Sequence, residues 1–209
     1  ESDAFVTKIS ASGTSMLYST YLGGNDFDGA TDVDVDGNGS AYVTGYTYST
    51  TFPKVSQFDS SSGGVDVFVA KLSPFGSALI YSTYLGSGGT DFGNGISVDQ
   101  AGSAYVVGWT DSASFPTAGP VQTFGGVRDA FVTKMSADGA SLVYSTFLGG
   151  SAIDIANSVA VDAGGVATVL GGSGSLNFPM VDPIPSPLGN SNLFCSQVSA
   201  GGTGLIIST

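Results

Sequence analysis

Asp32-Val33-Asp34-Val35-Asp36-Gly37 is the densest run of acidic side chains in the sequence. Carboxylates at alternate positions before a turn glycine can converge on a hard cation such as calcium, which collects oxygens in tight, glycine-permitted loops. Asp32, Asp34 and Asp36 are therefore candidate metal ligands, and calcium is the one cofactor that the pattern admits. A calcium loop places its bidentate acid about twelve residues from the first ligand, and Val43 stands there. The matching positions further along the chain hold Gly95, Ser97 and Asp99, then Ser158, Ala160 and Asp162, so only the third acid recurs. A strand ending in an Asx turn accounts for the same residues.

Other side chains could do chemistry. Asp26, Asp28, Asp32 and Asp34 are dense enough to supply the carboxylate pair of a glycan-cleaving enzyme. Asp28, Asp91 and Asp154 recur once per unit in what reads as a loop between an outer strand and the next inner strand. That recurrence points to structural hydrogen bonds with loop amides, because catalysis resides in one particular site. Among the aromatic residues Tyr42, Tyr46, Tyr48, Tyr105 and Trp109, we single out Tyr46 and Trp109 as a ligand rim for surface glycans; the competing role is packing. Asn38-Gly39-Ser40 is a glycosylation sequon in a turn, which makes Asn38 a candidate acceptor. Cys195 takes the place of Val6, Val69 and Val132 and is expected in the core. Lys8, Lys71 and Lys134 recur as well and are expected to be solvated or locally paired.

Composition narrows the function further. The 209 residues contain no histidine, which removes His-based triads and His metal sites. Five Lys and Arg against 17 Asp and Glu give a net charge of −12, which would repel nucleic acid and anionic membranes. No run approaches the roughly 18 apolar residues of a spanning helix, so membrane insertion is not expected. A single cysteine excludes an intrachain disulfide. With 42% apolar residues and 32 glycines, the chain can close a core but must turn often.

An internal repeat sets the elements that position these side chains. Asp3-Ala4-Phe5-Val6-Thr7-Lys8-Ile9-Ser10 returns at 66–73, at 129–136 and, more weakly, at 192–199, at intervals of 63 residues without insertion or deletion. Phe52-Pro53 returns as Phe115-Pro116 and Phe178-Pro179. Each period holds four runs rich in Val, Ile, Tyr, Phe and Thr, at about 31–36, 40–47, 66–73 and 78–85 in the first complete unit. Asp36-Gly37-Asn38-Gly39 and Ser10-Ala11-Ser12-Gly13, with their copies, supply hairpin turns. Four antiparallel strands with apolar residues on both faces must stack on their neighbours, which describes an all-β propeller built of blades.

Tyr18-Ser19-Thr20-Tyr21-Leu22-Gly23-Gly24, Asp36-Gly37-Asn38-Gly39, Ala41-Tyr42-Val43-Thr44-Gly45-Tyr46-Thr47 and Phe52-Pro53 together resemble the bacterial SBBP repeat of seven-bladed β-propellers. The resemblance covers essentially the whole chain, and it implies large, mostly secreted or surface-exposed bacterial proteins. The expected partition is a half blade over 1–30, blades over 31–93 and 94–156, and a divergent terminal blade over 157–209. The last copy departs from the rest with Gln197 for the lysine, Ile207 for a tyrosine and a connection through Pro183, Pro185 and Pro187. Three and a half blades fall short of the about four that close a ring. The expected function is a non-enzymatic extracellular or cell-surface scaffold, either part of a longer propeller or assembling with further copies. A carbohydrate-binding module and an Asp-dependent glycan-cleaving enzyme are the alternatives.

Overall fold

The structure, a computed structural model, describes residues 2–56, 58, 63–184 and 192–209. Its elements are the strands β1 (Ala4–Ile9), β2 (Met16–Leu22), β3 (Asp28–Val35), β4 (Ala41–Thr47), β5 (Asp66–Leu72), β6 (Leu79–Leu85), β7 (Asp91–Val98), β8 (Ala104–Thr110), β9 (Asp129–Met135), β10 (Leu142–Leu148), β11 (Asp154–Val161), β12 (Ala167–Ser173), β13 (Asn192–Val198) and β14 (Leu205–Ser208). They form one two-stranded sheet, β1-β2, and three four-stranded meanders, β3 to β6, β7 to β10 and β11 to β14. All named strand pairs are antiparallel. This is an unclosed arc of a β-propeller, as the repeat implied. Pro185 and Pro187 lie outside the described residues.

The expected partition began each blade at residues 31, 94 and 157, but the inner strands open three residues earlier, at Asp28, Asp91 and Asp154. Glycines and aspartates carry little strand propensity, so these starts read as loop. Pairing with the second strand overrides that local preference: Asp28 faces Thr47, Asp91 faces Thr110 and Asp154 faces Ser173.

The core lies between blades. One cluster joins Ala4, Val6 and Leu22 of the half blade to Val43, Phe68 and Tyr84 of the next. A second joins Val67, Val69 and Leu85 to Ile96, Val106 and Phe131, and a third joins Val107, Val132 and Leu148 to Ala156, Val159 and Val169. The Phe-Pro signature now has a packing role: Phe52, Phe115 and Phe178 stack on Phe68, Phe131 and Phe194 at 4.7, 4.5 and 4.6 Å between ring centres. Cys195 is only half-buried, although Val69 and Val132 at the same position are fully buried by a following blade.

Glycines fix the contact between blades and within one. Gly76, Gly139 and Gly202 close the hairpins between third and fourth strands at φ of 65–70°. Their Cβ positions would fall inside van der Waals contact with ring atoms of Tyr18, Tyr81 and Tyr144 of the preceding blade. Glycine is needed there for both backbone and contact. Inside β8, a Cβ on Gly108 would collide with the carbonyl oxygen of Phe92. Gly108→Ala is therefore expected to destabilise the fold by at least about 2 kcal/mol through overpacking. Urea unfolding measures this, and an unchanged midpoint would show that the β7–β8 pair relaxes freely.

Candidate functional site

The three carboxylates of the Asp32–Asp36 run do not gather. Asp32 and Asp34 alternate on one face of β3, where Asp32 Oδ2 accepts the N–H of Ile96 at 2.9 Å and Asp34 Oδ2 accepts that of Val98 at 2.8 Å. Both donors belong to β7, the inner strand of the next blade, whose free edge would otherwise leave these amides unpaired. Alternate carboxylates match alternate strand amides because both repeat every second residue. Asp36 instead holds the β3–β4 turn, accepting the N–H groups of Asn38 and Ser40 at 2.9 and 3.0 Å. Lys71 lies 3.5 Å from its other oxygen. Burial alone would raise the Asp36 carboxyl, but those amides, the Lys71 charge and the Tyr42 hydroxyl hold it below its ordinary value. Among the described residues no three acidic, cysteine or histidine side chains are grouped to hold a metal. The expected calcium set is thus replaced by an inter-blade clamp and a turn.

The clamp is repeated with changed chemistry. The Thr31 hydroxyl donates to the carbonyl of Gly93 at 2.7 Å, and one blade later Asn94 Nδ2 donates to that of Ala156 at 2.9 Å. The Tyr42 and Tyr105 hydroxyls reach the carbonyls of Gly102 and Gly165 in the following blade at 3.2 and 3.3 Å. Lys71 and Lys134 sit 4.6 and 4.7 Å from these rings and pair with Asp36 and Asp99, as local pairing predicted. Asn38 is exposed at its turn.

The candidate rim residues are brought together by a residue that the sequence did not single out. Phe92 stacks on Trp109 at 4.8 Å with planes 6° apart, and it meets Tyr46 of the preceding blade at 4.5 Å. Tyr48 adds an edge contact to Tyr46 at 6.2 Å. The Arg128 guanidinium lies 3.7 Å over the Trp109 ring. Two groups so close on one face would overlap, so Phe92 and Arg128 take opposite faces of the indole. Phe92 is paired directly opposite Trp109, at a strand start that reads as loop in the sequence.

A second set was legible only as repeat punctuation. Within blades, Asp28–Thr47–Asp66 and Asp91–Thr110–Asp129 form cross-strand rows, continued as Asp154–Ser173–Asn192. Between blades, the carboxylates of Asp3 and Asp28 converge over Gly23, those of Asp66 and Asp91 over Gly86, and those of Asp129 and Asp154 over Gly149. The result is an acidic arc along one end of the blades. Asp28, Asp91 and Asp154 accept the loop amides of Gly24, Ser87 and Gly150 at 2.7–2.8 Å, as their recurrence predicted. Burial pushes Asp91 up to about 6 against the opposing pull of Thr110 and the Ser87 amide. Asp129 is also pushed up to about 6, first by burial and then by the charge of Asp154, against the pull of the Gly125 amide.

Residues 80–116 match the SBBP family model, described as a beta-propeller repeat. The match runs from β6 through β7 and β8 to Phe115-Pro116. No curated protein matches the chain.

The raised Asp91 carboxyl gives a pH dependence. Its folded pKa lies above the unfolded value near 4, so its stabilising contribution is complete below about pH 4 and lost as pH rises through about 6. The melting temperature of the metal-free protein should fall across that window, and Asp91→Asn should flatten part of the fall. Superimposable pH profiles for the two proteins would show that Asp91 does not titrate there.

Proposed function

We propose that the protein is a non-enzymatic propeller scaffold, working secreted or at the cell surface, that binds further blades or copies of itself through its open blade faces. One observation carries this reading. Phe5, Ile9 and Tyr21 expose 68%, 59% and 79% of their surface, whereas Phe68, Leu72 and Tyr84, the same positions one repeat later, expose 0%, 2% and 0%. The difference is the neighbouring blade. Val33 and Val35 of β3 are exposed on the same open side, whereas Ile96, the counterpart of Val33, is buried. At the far end, Leu170, Leu193 and Ile207 are exposed on the last blade.

These two surfaces are opposite sides of one repeated joint, so one copy's last blade complements the first blade of another. Such a head-to-tail contact closes into a ring or runs on as a filament, according to the rotation per step. Burial of each large apolar side chain contributes about 1.5–3 kcal/mol, enough for several to hold an assembly. The carboxylates of Asp28, Asp32 and Asp34 are occupied by backbone amides, which supports a structural role over glycan cleavage. An extracellular setting is supported by the low content of charged residues, 11%, and by the exposed Asn38 sequon.

A carbohydrate-binding module is the second reading, favoured by the aromatic row from Tyr48 through Tyr46 and Phe92 to Trp109. It ranks lower because both faces of Trp109 are covered. Light scattering over a concentration series, with negative-stain microscopy, should find rings or filaments that grow with concentration. The double substitution Phe5→Asp and Tyr21→Asp should return the particle to a monomer. A wild type that stays monomeric throughout would sink the scaffold reading. Glycan-array binding that disappears in Trp109→Ala would favour the second one.

A further inference from the structure

The junction between β9 and β11 holds an uncompensated buried acid. Asp129 is fully buried; its Oδ2 accepts the Gly125 N–H at 2.7 Å, but its Oδ1 receives no hydrogen bond. Across the junction, Asp154 is equally buried and accepts the Gly150 N–H and the Ser175 hydroxyl, each at 2.7 Å, together with the Ser173 hydroxyl. Neither carboxylate has an ion-pair partner among the described residues, since Lys71 and Lys134 serve Asp36 and Asp99. Arg128, the nearest cation in sequence, is held over Trp109.

What surrounds the lone oxygen is more oxygen. The point where a Gly126 side chain would begin lies 2.5 Å from the carbonyl oxygen of Ala152, 2.6 Å from that of Gly150 and 3.1 Å from Asp129 Oδ1. The Gly150 carbonyl accepts no backbone hydrogen bond from the described turns and loops, and the Ala152 carbonyl, which faces the Arg128 N–H in the parallel Arg128–Ile153 bridge, keeps a second lone pair. The Cβ position of Gly149 lies 2.8 Å from Asp129 Oδ1 and 2.9 Å from Asp154 Oδ2, so both carboxylates lean over the same glycine. Buried anionic and carbonyl oxygens facing one another without a donor repel each other unless a positive charge stands between them.

We propose that this junction is a site for a hard divalent cation of the calcium class, bound by Asp129 Oδ1 and the carbonyls of Gly150 and Ala152, with the negative charge of Asp154 beside it. Calcium suits the set because it accepts mixed carboxylate and carbonyl oxygens in irregular geometry and completes its shell with water. Magnesium demands a near-ideal octahedron and is the discriminating comparison. The ion would tie the third strand of one blade to the first strand of the next. This site is separate from the Asp32–Asp36 run, whose carboxylates are committed to amides and a lysine.

The test uses the full chain after chelation and dialysis. Calorimetric titration with calcium chloride should show at least one ion bound per chain, and Asp129→Asn should bind one fewer. At calcium about a hundredfold above its Kd, the wild-type melting temperature should rise by about 5 °C or more over the chelated protein. Magnesium at the same concentration should raise it less. Asp129→Asn keeps an oxygen for the Gly125 N–H and removes the buried charge, so the variant should fold without metal and melt no lower than the chelated wild type. A wild type with the same melting temperature in calcium and in chelator would overturn the proposal. Undiminished calcium stoichiometry in Asp129→Asn would overturn it equally.

Discussion

A four-stranded blade whose two faces are both apolar, and whose inner strand has no further strand beside it, is incomplete in two ways. It has surface to bury and backbone groups to pair, and both needs fall on the neighbouring blade. The apolar need is met by facing clusters such as Val67, Val69 and Leu85 against Ile96, Val106 and Phe131. The polar need is met by side chains reaching across: Asp32 and Asp34 to the amides of Ile96 and Val98, Thr31 to the carbonyl of Gly93. Every other feature of the molecule is arranged around this joint.

The two kinds of bond differ in how far they specify geometry. Apolar burial is non-directional and tolerates sliding. Hydrogen bonds from alternate carboxylates to alternate amides do not, because a one-residue slip turns every side chain to the other face. The turn glycines add a steric stop, with Gly76, Gly139 and Gly202 seated on the tyrosines of the blade before. Burial thus holds the blades together, while the clamps and glycine seats set their register.

Much of this was legible in the sequence. A period of 63 residues, four β-rich runs per period and turn glycines at fixed offsets lead directly to the meanders. The DxDxDG run was legible as an unusual feature but not in its role, because its partners lie 64 residues away on a strand that it does not pair with. Trp109 and Tyr46 were legible as aromatic, yet Phe92, which links them, belongs to a strand whose start resembles a loop. The acidic arc was hidden for a related reason. Asp66 and Asp91, or Asp129 and Asp154, each look like ordinary punctuation until folding sets both over a single glycine. Repetition identifies elements, whereas sites that straddle two elements depend on a geometry that repetition alone does not supply.

The joint's clamps connect residues separated by about one period, as in Tyr42 to Gly102 and Tyr105 to Gly165. Among the described residues these clamps join adjacent blades, so the molecule behaves as a row of adjacent couplings more than as a single indivisible body. Gaining or losing one whole period would leave each remaining joint with both of its halves. Losing part of a period would strand half a joint on each side of the cut. Such a chain can change its length in steps while keeping its mechanics, and the permitted step is the 63-residue interval after which one tyrosine clamp returns as the next, Tyr42 as Tyr105.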